Sequence, residues 1–117
     1  MPRKGTDDDL VWITMDPSYV FHVVNAFDEG ENTVLDVLRY DSVFETAPGE
    51  PITRSLPSLH RWTIDPVANR VREERLDDTP VEFPRLDERR TGAAHRYVYA
   101  VAGDRGAGLR IFYRGGR

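Results

Sequence analysis

The sequence predicts an all-β chain built as an antiparallel meander, either a sandwich or a set of propeller blades. Two observations carry this. Short runs rich in β-branched and aromatic residues recur along the 117 residues, and Gly, Pro, Asp and Asn punctuate them at short intervals. In one run, Leu59, Arg61, Thr63 and Asp65 alternate with His60, Trp62 and Ile64, the period-two pattern of a strand with one buried face. Short strands separated by turn signals, with no internal repeat in the letters, suit these architectures.

Taken in order, Leu10–Met15 reads as the first strand, ended by the turn residues Asp16, Pro17 and Ser18. Tyr19–Phe27 follows as a strongly apolar strand, and Asp28–Asn32 reads as a hairpin loop. Thr33–Asp41 carries apolar residues at Val34, Leu35, Val37 and Leu38. Helical spacing would accept them, but the short loop before them and the β-branched content favour a strand. Residues 45–57, with three prolines and a glycine, read as an exposed loop excursion. Leu59–Asp65 and Arg70–Leu76 form a strand pair around the compact turn Pro66–Asn69. The run Val81–Leu86 contains Pro84, which cannot donate to a ladder and so marks an edge or a bulge. Arg89–Ala94 is loop, and His95–Val101 and Leu109–Tyr113 are the last strands.

Composition narrows the function classes. A formal net charge of −4 argues against nucleic acid as a partner, since a polyanion needs a basic face. The arginines of the tail, at 105, 110, 114 and 117, read as a solvated end. Absence of cysteine excludes disulfides and thiolate metal sites. The N-terminus lacks the apolar centre of a signal peptide, and no apolar run approaches the roughly 20 residues of a membrane helix. A cytoplasmic location is the expectation; membrane contact is left open. The acidic group Glu73, Glu74, Asp77 and Asp78 lacks the alternate spacing and glycine of a calcium loop and reads as a solvated face.

The chemistry concentrates in two places. His22 places an imidazole inside the apolar run Tyr19–Phe27, and Glu82 places a carboxylate between Val81 and Phe83. A buried ionisable group is costly without a partner. Read alone, His22 is a core histidine satisfied by a backbone carbonyl, and Glu82 faces water or pairs with Arg85. Read together, they suggest one site, because a metal-binding imidazole usually donates its second N–H to a carboxylate that fixes the ring. Asn25 reads as an asparagine closing a strand, His60 as a strand-face residue beside Trp62, and His95 as a residue at a strand entrance. Phe21, Phe27, Phe83, Tyr97 and Tyr99 suit core packing between sheets, or the lining of a tunnel for a long apolar substrate.

The segments around these residues resemble the carotenoid oxygenases, or carotenoid cleavage dioxygenases, including their stilbene-cleaving bacterial members. Tyr19-Val20-Phe21-His22-Val23-Val24-Asn25-Ala26-Phe27 is similar to a family strand with the pattern phenylalanine-histidine-x-x-asparagine-alanine. Glu82-Phe83-Pro84-Arg85-Leu86-Asp87, then Gly92 and His95–Ala100, resembles a second family segment, with Arg61–Pro66 similar to the strand between them. The resemblance implies a seven-bladed β-propeller with iron(II) held on its axis by four histidines, three glutamates orienting them. It covers nearly the whole chain, which would correspond to about two to three blades. His22 would be one metal ligand and Glu82 the acid that orients it; no catalytic residue is assigned. His60 and His95 do not fall on ligand positions.

One histidine supplies neither the affinity nor the geometry of an iron site. The expectation is therefore a partial oxygenase, residues 1–117 forming a propeller segment of an enzyme that cleaves a conjugated C=C bond of an apolar carotenoid, apocarotenoid or stilbene. The isolated chain is expected to bind Fe(2+) weakly and to lack the activity. The alternative is a non-catalytic β-meander module that assembles with a complementing polypeptide or with copies of itself. The abrupt start and end around strand-like segments also suggest a piece of a larger protein.

Overall fold

Strand-forming runs and tight turns sort the chain into two antiparallel sheets in the computed structural model, which describes residues 4–42, 55–102 and 108–113. β1 (Tyr19–Glu29), β2 (Asn32–Tyr40), β3 (Ser58–Asp65) and β4 (Arg70–Asp77) form a four-stranded sheet in chain order. β5 (Val81–Arg85), β6 (Tyr97–Ala102) and β7 (Gly108–Tyr113) form a three-stranded sheet, again in chain order. Single 3₁₀ turns at Asp7–Asp9 and Glu88–Arg90 are the helical elements among the described residues. The meander is thus as expected; the 45–57 excursion falls largely outside the described residues.

Local chemistry explains the turns. The loop between β1 and β2 shrinks to Gly30 and Glu31, with Glu29 paired to Asn32. A two-residue hairpin turn of this hand needs a positive φ, which Gly30 supplies at +64°. Between β3 and β4, Asp65 Oδ1 accepts the Ala68 N–H at 2.8 Å and Asn69 takes a φ of +52°. Asparagine tolerates that left-handed conformation better than most residues.

The core lies between the two sheets. Val24, Leu38 and Leu59 from the first meet Val81, Val98, Ala100 and Ala102 from the second, with Leu76 packed against them. The small Ala100 and Ala102 side chains let the sheets approach. Each buried Val or Leu contributes about 1.5–3 kcal/mol relative to an exposed one.

Two expectations need correction. Leu10–Met15 forms no strand: it follows the first 3₁₀ turn without regular structure, with Leu10, Val11 and Trp12 exposed. Strand propensity reflects packing against neighbouring strands, and no neighbour is hydrogen-bonded to this segment in the sheets described. β3 is also not one-sided. Ser58, Leu59, His60 and Arg61 are all buried, and successive residues of a strand point to opposite faces, so its first half is covered on both.

Two bulges in β1 matter most for function. His22 pairs with Leu38 and Asn25 with Asp36, with register shifts on either side of His22. Leu38 and Asp36 are two residues apart and share a face, whereas residues three apart on a regular strand do not. The extra residue Val24 absorbs the mismatch, so His22 and Asn25 emerge on the same side of the sheet.

Candidate metal-ligand site

The His22 side chain meets Glu82 across the gap between the sheets. His22 Nδ1 lies 2.8 Å from Glu82 Oε2. The Glu82 oxygens accept two further hydrogen bonds: the Phe83 N–H donates to Oε2 at 3.1 Å, and the Tyr40 hydroxyl donates to Oε1. Burial first, and then the hydrogen bond and charge of Glu82, push the Tyr40 phenol well above its ordinary range, which keeps it a donor. With Nδ1 engaged by the acid, Nε2 is the ring nitrogen left for a metal. The imidazole is 45% exposed, against 19% for Glu82, so the acid is half-buried behind a ring that reaches outward.

The backbone of β5 aims the acid. Glu82 pairs with Val101 and Arg85 with Tyr99, so β5 carries one extra residue over that step. Pro84 has no N–H to give to the ladder, in keeping with a bulge there. Phe83 takes a φ of +56°, uncommon for a bulky side chain and rarer still before a proline. Its ring rests against the His22 ring with centroids 5.6 Å apart. Tyr19, Phe21 and Tyr40 continue an aromatic patch beside it, with centroids 4.6 Å apart for Tyr19–Phe21 and 5.3 Å for Phe21–Tyr40.

A second polar cluster lies on the same face of β1. Asn25 Nδ2 is 3.1 Å from Arg90 O and 2.9 Å from Ala93 O, and Asn25 Oδ1 accepts the Gly92 N–H at 3.0 Å. Nδ2 also lies 3.1 Å from His95 Nδ1, while His95 Nε2 lies 3.1 Å from Asp36 Oδ2. Arg61 closes on Asp36 through Nε and Nη2, both at 2.6 Å, a fork-on-carboxylate pair. Burial alone would raise the Asp36 pKa, but hydrogen bonds and charge from Arg61 and His95 outweigh it and hold the carboxyl below its ordinary value. Phe27 packs beneath, with the Arg61 guanidinium 5.4 Å from its centroid and the His95 ring edge-on at 5.8 Å.

The structure therefore brings His22 and Glu82 together and keeps His95 and His60 elsewhere. His60 sits buried on β3, with its Nε2 2.9 Å from Ser58 Oγ and its Nδ1 3.3 Å from Glu73; burial lowers its pKa. Glu73 is consequently not simply solvated, since it also accepts the Trp62 indole N–H and lies 3.3 Å from Arg39 Nε. Of the five candidate aromatic residues, Phe27 is buried and Phe21, Phe83, Tyr97 and Tyr99 are exposed, so core packing within this chain does not account for those four. Sequence reasoning missed Asn25 and Tyr40. Asn25 carried the same signal as His22, a polar group inside an apolar run.

Residues 1–113 match the family described as retinal pigment epithelial membrane protein. A carotenoid cleavage oxygenase of Mycobacterium tuberculosis is 42% identical over 105 residues, covering 86% of this chain and 21% of the relative. The chain belongs to the carotenoid oxygenase family. An isoeugenol monooxygenase of Pseudomonas putida is 30% identical over 112 residues, covering 89% of this chain and 23% of its own length. Among solved structures, the cobalt-substituted apocarotenoid oxygenase of Synechocystis superposes with a TM-score of 0.78 at 25% identity, over 97% of this chain and 28% of that one. That carotenoid oxygenase is a β-propeller, and the two sheets here correspond to part of it. The chain spans about a fifth of the length of the curated relatives named here.

The donor set fits one corner of a metal site. A histidine with Nδ1 tied to a carboxylate presents Nε2 in a fixed orientation and tautomer, the arrangement typical of ligating histidines. Among the described residues no group of three or more His, Cys, Asp or Glu is placed to hold a metal.

Proposed function

We propose that this chain supplies one metal ligand, His22, and its orienting acid, Glu82, to an iron(II) centre of an oxygenase that cleaves a conjugated C=C bond. The observation that carries the reading is the 2.8 Å contact between His22 Nδ1 and Glu82 Oε2, made by residues 60 positions apart in a chain of this family. Ferrous iron, when bound, would supply oxygen activation; the protein's part is to hold the ligand ring, keep its Nδ1–H donating to Glu82, and offer an apolar surface. Tyr40 steadies the acid by donating to its second oxygen. The exposed rings of Phe21 and Phe83 beside His22 suit an apolar conjugated substrate such as a carotenoid, apocarotenoid or stilbene. The remaining ligands would come from outside the described residues, because imidazole binds iron(II) usefully only as one of several donors.

The test is reconstitution with ferrous salt followed by metal analysis and assay of a stilbene and an apocarotenoid. The 117-residue chain is expected to retain far less than one iron per chain after desalting and to form no carbonyl product. Stoichiometric iron with product formation would overturn the view that this chain carries only one corner of the site. If instead a longer protein containing this segment keeps full iron occupancy after His22→Ala, the assignment of His22 fails.

A further inference from the structure

Core contacts between the sheets fix their separation but not their alignment, because apolar burial is non-directional. β5, the strand that carries Glu82, is short: five residues, with a bulge at its centre. Something directional has to set where it lies relative to β1. The polar cluster on the same face as His22 does this from the far end of β5, where the chain leaves through residues 86–96.

Asn25 there acts as a surrogate strand edge. Its Oδ1 takes the Gly92 N–H and its Nδ2 serves the carbonyls of Arg90 and Ala93, an arrangement that fixes which way the amide faces. His95 Nδ1 lies 3.1 Å from the same Nδ2, which cannot accept a proton, so the His95 N–H that the cluster can use is the one on Nε2, 3.1 Å from Asp36 Oδ2. Asp36 is in turn gripped by Arg61. The connection is thereby tied to β1, β2 and β3 at once.

We infer that Asn25 and His95 are positioning residues that clamp the 86–96 connection onto the first sheet and so set the approach of Glu82 to His22. The inference rests on reading His22 and Glu82 as ligand and orienting acid. The bulge at Val24 is the link: it puts the clamp residue and the ligand residue on one face of one strand.

The test uses the full 117-residue chain, metal-free and ¹⁵N-labelled, at a single pH above neutrality where imidazole is unprotonated. Free imidazole in a histidine side chain favours the Nε2–H tautomer, so a dominant Nδ1–H signal from His22 reports its contact with Glu82. The parent is expected to show that signal and Glu82→Gln to lose most of it. Asn25→Asp, which keeps the acceptor for Gly92 and loses both donors, is expected to shift His22 toward the Glu82→Gln spectrum while the β2–β4 amides stay dispersed. His95→Gln is the second variant and decides the matter if Asn25→Asp does not fold; the same shift is expected. An unchanged His22 tautomer in a folded variant, with only the 90–95 amides moving, would reduce the clamp to a loop staple and overturn the inference. A parent lacking the Nδ1–H signal would instead sink the His22–Glu82 reading beneath it.

Discussion

Asp36 shows how a single carboxylate is made tolerable in an interior. It is 2% exposed, yet both oxygens are used: Arg61 takes them in a fork and His95 adds a third donor. A buried pair of this kind gives directionality more than net stability, but removing one member leaves the other charge stranded, which costs about 3–5 kcal/mol. Asp36→Asn is expected to lower the unfolding free energy by that order near neutral pH, measured by urea titration. The pH dependence has a definite sign. The folded-state pKa of Asp36 lies below its ordinary value of 3.8, so its stabilisation is complete above that value and is lost as pH falls through the depressed native one. The gap between parent and variant is therefore expected to narrow below about pH 4 and not on the alkaline side. A gap that stays constant down to pH 2 would show that Asp36 and Arg61 are not paired in solution.

At the level of elements, the strained point is Phe83. A bulky residue held left-handed stores about 1–3 kcal/mol, which persists only where the surroundings enforce it. Phe83→Gly relieves that strain, adds about 0.5–1 kcal/mol of glycine entropy, and removes a ring that is 65% exposed. The expected net change is within about 1 kcal/mol, against about 2–5 kcal/mol for Leu38→Ala in the core measured in the same assay. A loss for Phe83→Gly as large as that for Leu38→Ala would mean the ring, not the backbone turn, holds β5. The same comparison explains what the sequence made legible. β1 to β7 were readable because turn chemistry and short-range patterning are local: Gly30, Asp65, Asn69 and Pro84 each act where they stand. The bulges around His22 were not readable, because they exist only relative to β2. Leu10–Met15 had strand composition without a hydrogen-bonded neighbour in the described sheets, and propensity could not reveal that. Asn25 was read as closing a strand because β1 runs on to Glu29, two residues further than the apolar pattern suggested.

Across the whole molecule, the two sheets bury one face of each other and leave other apolar surface in view. Along β6, Val98, Ala100 and Ala102 are buried against the first sheet while Tyr97, Tyr99 and Val101 face outward. β6 is the middle strand of its sheet, so this stripe lies on a face and not along an edge. These exposed apolar side chains form the kind of patch that marks an interaction surface. In a β-propeller successive sheets pack face to face, and an outward stripe of this composition is complementary to the face of another sheet. The net charge of −4 is too small to keep such patches apart at high concentration. The chain is therefore expected to self-associate through this face as concentration rises, in sedimentation velocity runs spanning about two decades of protein. Val101→Lys, on an exposed position of a paired strand, is expected to leave the unfolding free energy within about 0.5 kcal/mol while shifting the weight-average sedimentation coefficient toward that of a monomer. Association of unchanged strength in a folded Val101→Lys chain would place the contact elsewhere, and a parent that stays monomeric throughout would show that the stripe is not adhesive by itself.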